Sequence, residues 1–161
     1  MNHMKTADLV DAHDAELRFC QMQWKKLGKK PSFHGPIETV RCFEDNVILR
    51  SVLETPGEGR VLVVDGAGSL RTALVGDMIA LIGQKSGWAG IVINGAIRDA
   101  DDIDQMDFSV LAQGTSPKKS SKLGTGVKGV TVSFGNVDFV PGHYLYADSD
   151  GVLVSEKNLI G

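Results

Sequence analysis

Two apolar runs dominate the pattern of the chain, Val61-Leu62-Val63-Val64 and Ile91-Val92-Ile93. Neither alternates with polar residues, so both predict strands buried on two faces, as in a parallel or mixed sheet covered by helices. The strands are placed over residues 60–65 and 91–93. Between them Met78, Ile79, Leu81 and Ile82 recur at helical spacing, predicting a helix over 76–85. Strand, helix and strand in this order form a βαβ unit, whose crossover is expected to be right-handed.

The flanking pattern is weaker. Thr6 is a candidate N-cap for a helix over 7–15. Residues 18–34 show no clear period, and Gly35-Pro36 reads as a break before a strand over 37–42. Asp45 is expected to cap a helix running to Glu54, ended by Pro56-Gly57. A strand is predicted over Phe108–Gln113, then a basic, polar loop over 114–126. Beyond Lys128 the pattern changes to short strands. Val130, Val132 and Phe134 alternate with polar neighbours, and runs at 137–140, 143–146 and 151–155 follow, separated by glycine-containing turns. The expectation is one α/β domain over 1–161, with a central βαβ unit and a β-rich C-terminal part.

Candidate chemistry gathers where the second buried strand ends. Residues 95–104 read Gly-Ala-Ile-Arg-Asp-Ala-Asp-Asp-Ile-Asp, a sudden arginine and four acids. Loops at the carboxyl ends of parallel strands are where open α/β sheets bind ligands. The 76–85 helix starts at the same edge, with its free N–H groups and Asp77 in its first turn. Asp77, Arg98, Asp99 and Asp102 are thus predicted to meet. An arginine fork suits a carboxylate, and a few carboxylates with water suit Mg²⁺ or Mn²⁺. Together they could stabilise an enolate formed from a 2-keto acid. The alternative is structural: acids at helix starts and a surface Arg98–Asp99 pair.

Composition narrows the options. A net charge of −3 argues against direct nucleic-acid binding. Cys20 and Cys42 have no metal spacing and read as free thiols in a reducing compartment. The first residues lack the apolar core of a signal peptide, and no apolar run approaches the roughly 20 residues of a membrane span, so the protein is expected to be cytoplasmic. His3, His13, His34 and His143 are scattered. Gly66-Ala67-Gly68-Ser69 lacks a full dinucleotide fingerprint. Lys118, Lys119 and Lys122 read as a solvated loop, and Trp24 and Trp88 as packing residues.

The sequence resembles the RraA-like family, named for a regulator of ribonuclease E activity and also containing 4-hydroxy-4-methyl-2-oxoglutarate aldolases. The carrying segments are TADLVDAH (6–13), GPIETVRCFEDN (35–46), RVLVVDGAGSLRTALVGDMIA (60–80), GWAGIVINGAIRDADDI (87–103) and VSFGNVDFVPGHYLYADSDGVLVS (132–155). The metal-dependent aldolases of the family carry Asp, twenty residues, Arg-Asp, two residues, then Asp or Glu; Asp77, Arg98-Asp99 and Asp102 match that spacing.

The resemblance implies a swivelling β/β/α sandwich of the phosphohistidine-domain type, assembled as a homotrimer with sites at subunit interfaces. It implies a metal role for Asp99 with Mg²⁺ or Mn²⁺, and a grip on the pyruvyl group by Arg98. Backbone amides of Gly76, Asp77, Met78 and Ile79 would bind the substrate carboxylate. Asp77 would orient a proton-shuttling water, and Asp102 would support the site. The implied reaction is cleavage of 4-hydroxy-4-methyl-2-oxoglutarate to two pyruvates, with oxaloacetate decarboxylation through the same pyruvate enolate. The alternative implied by the resemblance is a regulator that binds and inhibits ribonuclease E. Some longer members supply a further carboxylate from a C-terminal region; the chain ends at Gly161 without it, which implies lower efficiency on the larger substrate. Related sequences have carried a demethylmenaquinone methyltransferase label, for which no glycine-rich signature is found.

Overall fold

The computed structural model describes residues 3–161. In chain order the elements are α1 (Thr6–His13), β1 (Arg18–Phe19), β2 (Lys25–Leu27), β3 (Ser32–Arg41), α2 (Val47–Leu53), β4 (Val61–Asp65), β5 (Ala73–Val75), α3 (Asp77–Lys85), β6 (Gly90–Ile97), α4 (Ala100–Asp104), β7 (Val110–Thr115), β8 (Val127–Lys128), β9 (Val132–Phe134), β10 (Val137–Phe139), β11 (Tyr144–Asp148) and β12 (Gly151–Ser155). The fold is mixed α/β, with a large sheet and few helices. Ten strands form that sheet in the order β1-β12-β11-β3-β4-β6-β7-β2, with β5 on β6 and β8 on β3. Strands β3, β4, β6 and β7 are parallel, while β11, β12, β1 and β2 join antiparallel.

The predicted βαβ unit is present as β4–α3–β6, and both its strands are buried on two faces. Leu62 and Val64 of β4 pack with Ile91 and Ile93 of β6 against α2 and α3. The alternate residues Val61, Val63 and Val92 face the β9–β10 hairpin, among Phe134, Val137 and Phe139. Each such side chain, fully removed from water, contributes on the order of 1.5–3 kcal/mol before chain entropy is counted. Trp88 is buried under the Arg60 guanidinium, 4.5 Å from its ring centroid, and Trp24 stands edge-on to Phe134, so both serve packing.

Several local expectations are corrected. Thr6 does not cap α1; it is the first helical residue, and both its N–H and its hydroxyl are bound by the Asp148 carboxylate at 2.8 and 2.7 Å. Gly35-Pro36 does not break the chain but lies inside β3, a ten-residue strand. There β3 changes partners: 32–36 pair antiparallel with β11, and 37–41 pair parallel with β4. The crossing is tight enough that a Cβ on Gly35 would meet the Gly59 carbonyl oxygen. Residues 18–34 are partly irregular, as their lack of period suggests: two short strands and the start of β3 are separated by the non-regular stretches 20–24 and 28–31. Strand β6 continues through Asn94-Gly95 to Ile97, four residues beyond the predicted end, because Ala96 and Ile97 are also fully buried between β5 and β7. Asp45 sits one residue before the α2 N-cap, Asn46, but still accepts the first N–H of the helix, from Val47 at 3.2 Å, and is fully buried.

Candidate functional site

The site is assembled by two turns at the carboxyl edge of the parallel strands, from β5 into α3 and from β6 into α4. Strand β5, which the sequence pattern does not reveal, pairs with the end of β6 and delivers the chain to Gly76. Gly76 is the N-cap of α3, with extended backbone and no side chain, so the first N–H groups of the helix need outside partners. At the end of β6 the Arg98 N–H donates to the Val75 carbonyl at 3.0 Å, fixing the two strand ends together.

Asp99 follows in the left-handed region, φ 58° and ψ 41°. Aspartate tolerates this conformation better than most residues. The turn starts α4, where the Ile103 N–H donates to the Asp99 carbonyl at 2.9 Å. It also returns the Asp99 carboxylate to α3, where Oδ2 accepts the Asp77 N–H at 3.1 Å. A Cβ on Gly76 would lie 2.7 Å from that oxygen and 3.4 Å from Arg98 Cγ, so the contact requires glycine for space.

The geometry therefore brings Gly76, Asp77, Arg98 and Asp99 together. Asp102, exposed on α4, is near enough to act on Asp77 by charge. The Asp77 carboxyl is held above the usual carboxylate range. Partial burial is the largest cause, followed by its hydrogen bond with Asp99 and the charges of Asp99 and Asp102, against a lowering contribution from the Met78 N–H. Of the expected carboxylate-binding amides, that of Asp77 is already taken by Asp99, and that of Met78 leans on the Asp77 side chain. The Met78 side chain is largely exposed and Ile79 is buried under the sheet edge. Arg98, half-buried, belongs to none of the ion pairs among the described residues, so the cation is free beside three acids.

Among the described residues no cluster of three or more His, Cys, Asp or Glu forms a ready metal cage. The donors present are hard carboxylate oxygens open to water on Asp99 and Asp102, with repulsion recorded in the raised Asp77 carboxyl. That set fits Mg²⁺ or Mn²⁺, which bind through one or two carboxylates and retain several waters. It does not fit a dehydrated structural ion.

The other sequence candidates lie apart. The 66–69 loop is internally satisfied: the N–H groups of Gly66 and Gly68 both donate to the Asn94 carbonyl, that of Ala67 to Asp65, and that of Ser69 to Gly66. Lys118, Lys119 and Lys122 are exposed on their loop. Cys20 and Cys42 are free and buried, and burial pushes their thiols up to about 11 and about 12. No described helix is long and apolar enough to cross a membrane.

Known proteins align with this chain over nearly its whole length. A structure from Geobacillus kaustophilus, named as S-adenosylmethionine:2-dimethylmenaquinone methyltransferase, is 50% identical with a TM-score of 0.95 and covers 98% of each chain. The RNA-processing inhibitor RraA of Thermus thermophilus is 41% identical with a TM-score of 0.94, over 99% of this chain and 97% of its own. RraAS2 of Streptomyces coelicolor, described as an unusual member of the RNase ES inhibitor RraA family, is 29% identical with a TM-score of 0.74, over 93% and 78%. A family model described as RraA-like, Aldolase/RraA, matches residues 6–154. The chain belongs to the RraA-like family.

Proposed function

We propose that this chain is a divalent-metal-dependent class II pyruvate aldolase, cleaving 4-hydroxy-4-methyl-2-oxoglutarate to two pyruvates and decarboxylating oxaloacetate. The observation that carries the reading is the Asp77 N–H to Asp99 carboxylate contact, made beside an Arg98 with no ion-pair partner. A surface ion pair would leave no such free cation.

Asp99 would hold Mg²⁺ or Mn²⁺, with Asp102 supporting it. The ion would supply Lewis-acid polarisation of the 2-oxo group. The planar fork of Arg98 would grip the pyruvyl end and balance charge as the enolate oxygen develops. Asp77, whose carboxyl is held above its ordinary value by partial burial and by Asp99, would take and return the proton through a water. The α3 N-terminus, over Gly76, Asp77, Met78 and Ile79, would fix the substrate carboxylate once the substrate displaces the Asp99 and Asp77 carboxylates that hold the Asp77 and Met78 amides in the free chain. The reading includes a single 1–161 unit folded as a swivelling β/β/α sandwich. Helices on one sheet face and the β9–β10 hairpin on the other support that description. A homotrimer with sites at subunit interfaces, in the cytoplasm, is part of the same proposal; Met78 and Leu81 exposed on α3 support the interface. Its direct test is deuterium exchange into the pyruvate methyl group, followed by NMR. Exchange should require Mg²⁺ and vanish with EDTA.

A second reading is an inhibitor of ribonuclease E. It is favoured by the name of the Thermus relative at 41% identity. Titrating the chain into a ribonuclease E cleavage assay decides it, and Asp99→Ala should inhibit as well as wild type. The methyltransferase name of the Geobacillus relative finds no support in the 66–69 loop, whose N–H groups are all committed within the protein.

A further inference from the structure

Asp45 is a fully buried carboxylate that the proposed chemistry does not use. No lysine or arginine pairs with it among the described residues. Burying such a charge is costly unless its oxygens are filled by donors. They are filled from one loop and one helix start: Oδ2 accepts the Ser121 hydroxyl at 2.8 Å and the Leu123 N–H at 2.6 Å. The Gly124 N–H reaches both oxygens at 3.2 Å, and the Val47 N–H reaches Oδ1 at 3.2 Å. The backbones on either side also bond, Ser121 N–H to the Glu44 carbonyl and Asn46 N–H to the Ser121 carbonyl.

The two segments locked by Asp45 are the ones that hold β5. The Asn46 amide, buried, donates to the Leu74 carbonyl at 3.2 Å. The Ser120 hydroxyl, also buried, donates to the Ala73 carbonyl at 2.7 Å and meets the Thr72 hydroxyl at 3.0 Å. The Ala73 N–H donates to the Lys118 carbonyl at 2.7 Å. Strand β5 has three residues and pairs irregularly with β6, so side-chain braces supply what a longer ladder would. Its next residues are Gly76 and Asp77.

We propose that Asp45 is a positioning residue for the Gly76-Asp77 and Arg98-Asp99 site. It locks the 118–124 loop to the start of α2, Asn46 and Ser120 then hold β5, and β5 sets where the Asp77 N–H meets Asp99. The inference rests on the reading of that site as a 2-oxo-acid site.

The test compares wild type with Asp45→Asn and with the milder Ser120→Ala. It measures kcat and KM for oxaloacetate with Mg²⁺, together with backbone hydrogen exchange at residues 72–79 and over the rest of the chain. Both variants should raise KM about tenfold, because displaced α3 amides grip the substrate carboxylate less well. Exchange should rise selectively at 72–79. A merely structural role lowers the active fraction, and so kcat, but leaves KM unchanged. Wild-type KM and wild-type exchange at 72–79 in Ser120→Ala overturn the proposal, as does a rise in exchange spread evenly over the chain. If wild type releases no pyruvate, the reading of the site fails, and the exchange pattern alone still decides whether Asp45 and Ser120 position β5.

Discussion

The backbone N–H of Asp77 donates to the carboxylate of Asp99 at 3.1 Å, tying the first residue of α3 to the turn that follows β6. The bond crosses from one strand end to the next and fixes the spacing between an acid, an arginine and a second acid. Its existence depends on the absence of a side chain at Gly76.

Gly76→Ala tests that dependence. The new methyl group would stand 2.7 Å from Asp99 Oδ2, and the exposed carboxylate is the group that can move away. The expected outcome is a loss of oxaloacetate turnover of about a hundredfold with little change in Tm, because misplacement rather than unfolding is the cause. Turnover kinetics and thermal melting on one preparation check it.

Arg98→Lys separates charge from shape. Lysine keeps the positive charge and loses the planar fork. Arg98→Ala is expected to cost about 10²–10³ in kcat, as removal of an oxyanion-stabilising group does. Arg98→Lys should recover part of kcat, while its KM should exceed that of wild type because the two-pronged grip on the pyruvyl group is lost. Steady-state kinetics with oxaloacetate give both numbers.

Two acids should give stability opposite responses to pH in metal-free buffer. Asp77 has a raised carboxyl, so the folded chain holds that proton more tightly than the unfolded chain does. Its contribution is most favourable below the ordinary carboxylate range and declines as pH rises through the raised value. Asp45 has a lowered carboxyl: burial pushes it up, but the Ser121 hydroxyl and the N–H groups of Val47, Leu123 and Gly124 outweigh burial. Its contribution is present above the ordinary carboxylate range and is lost as pH falls through the lowered value. Tm against pH for Asp77→Asn should lose the decline on the alkaline side of the carboxylate range, and Asp45→Asn should lose the drop on the acid side.

The thiols of Cys20 and Cys42 should be unreactive in the folded protein. Burial holds them at about 11 and about 12, so few are thiolate at neutral pH. Titration with a chromogenic disulfide should show almost no fast reaction in buffer and two thiols per chain in denaturant.

The parts of this fold that the sequence reveals are those with strong local patterns. The Val61–Val64 and Ile91–Ile93 runs identify the two central strands, and the spacing of Met78 to Ile82 identifies α3. The pairing of Asp77 with Arg98-Asp99 was legible because a helix start and a strand end meet at the same sheet edge. Strand β5 was not legible, since three residues cannot display a period. Local rules take the Gly35-Pro36 pair as a break, whereas it lies inside β3 where the strand changes partners. Thr6 and Asp45 look like helix caps in isolation; Thr6 is instead bound by Asp148, 142 residues away, and Asp45 accepts the first N–H of α2 but is held mainly by the loop around Ser121, 76 residues away. Such long-range bonds leave no trace in a local window.

The decisive measurement is pyruvate release from oxaloacetate and from 4-hydroxy-4-methyl-2-oxoglutarate, with Mg²⁺ and with EDTA, in wild type and Arg98→Ala. A metal-dependent 2-oxo-acid lyase working through Arg98 and Asp99 releases pyruvate only with the metal and loses that release in Arg98→Ala. Release no faster than with Mg²⁺ alone, or full activity in Arg98→Ala, would contradict this assignment.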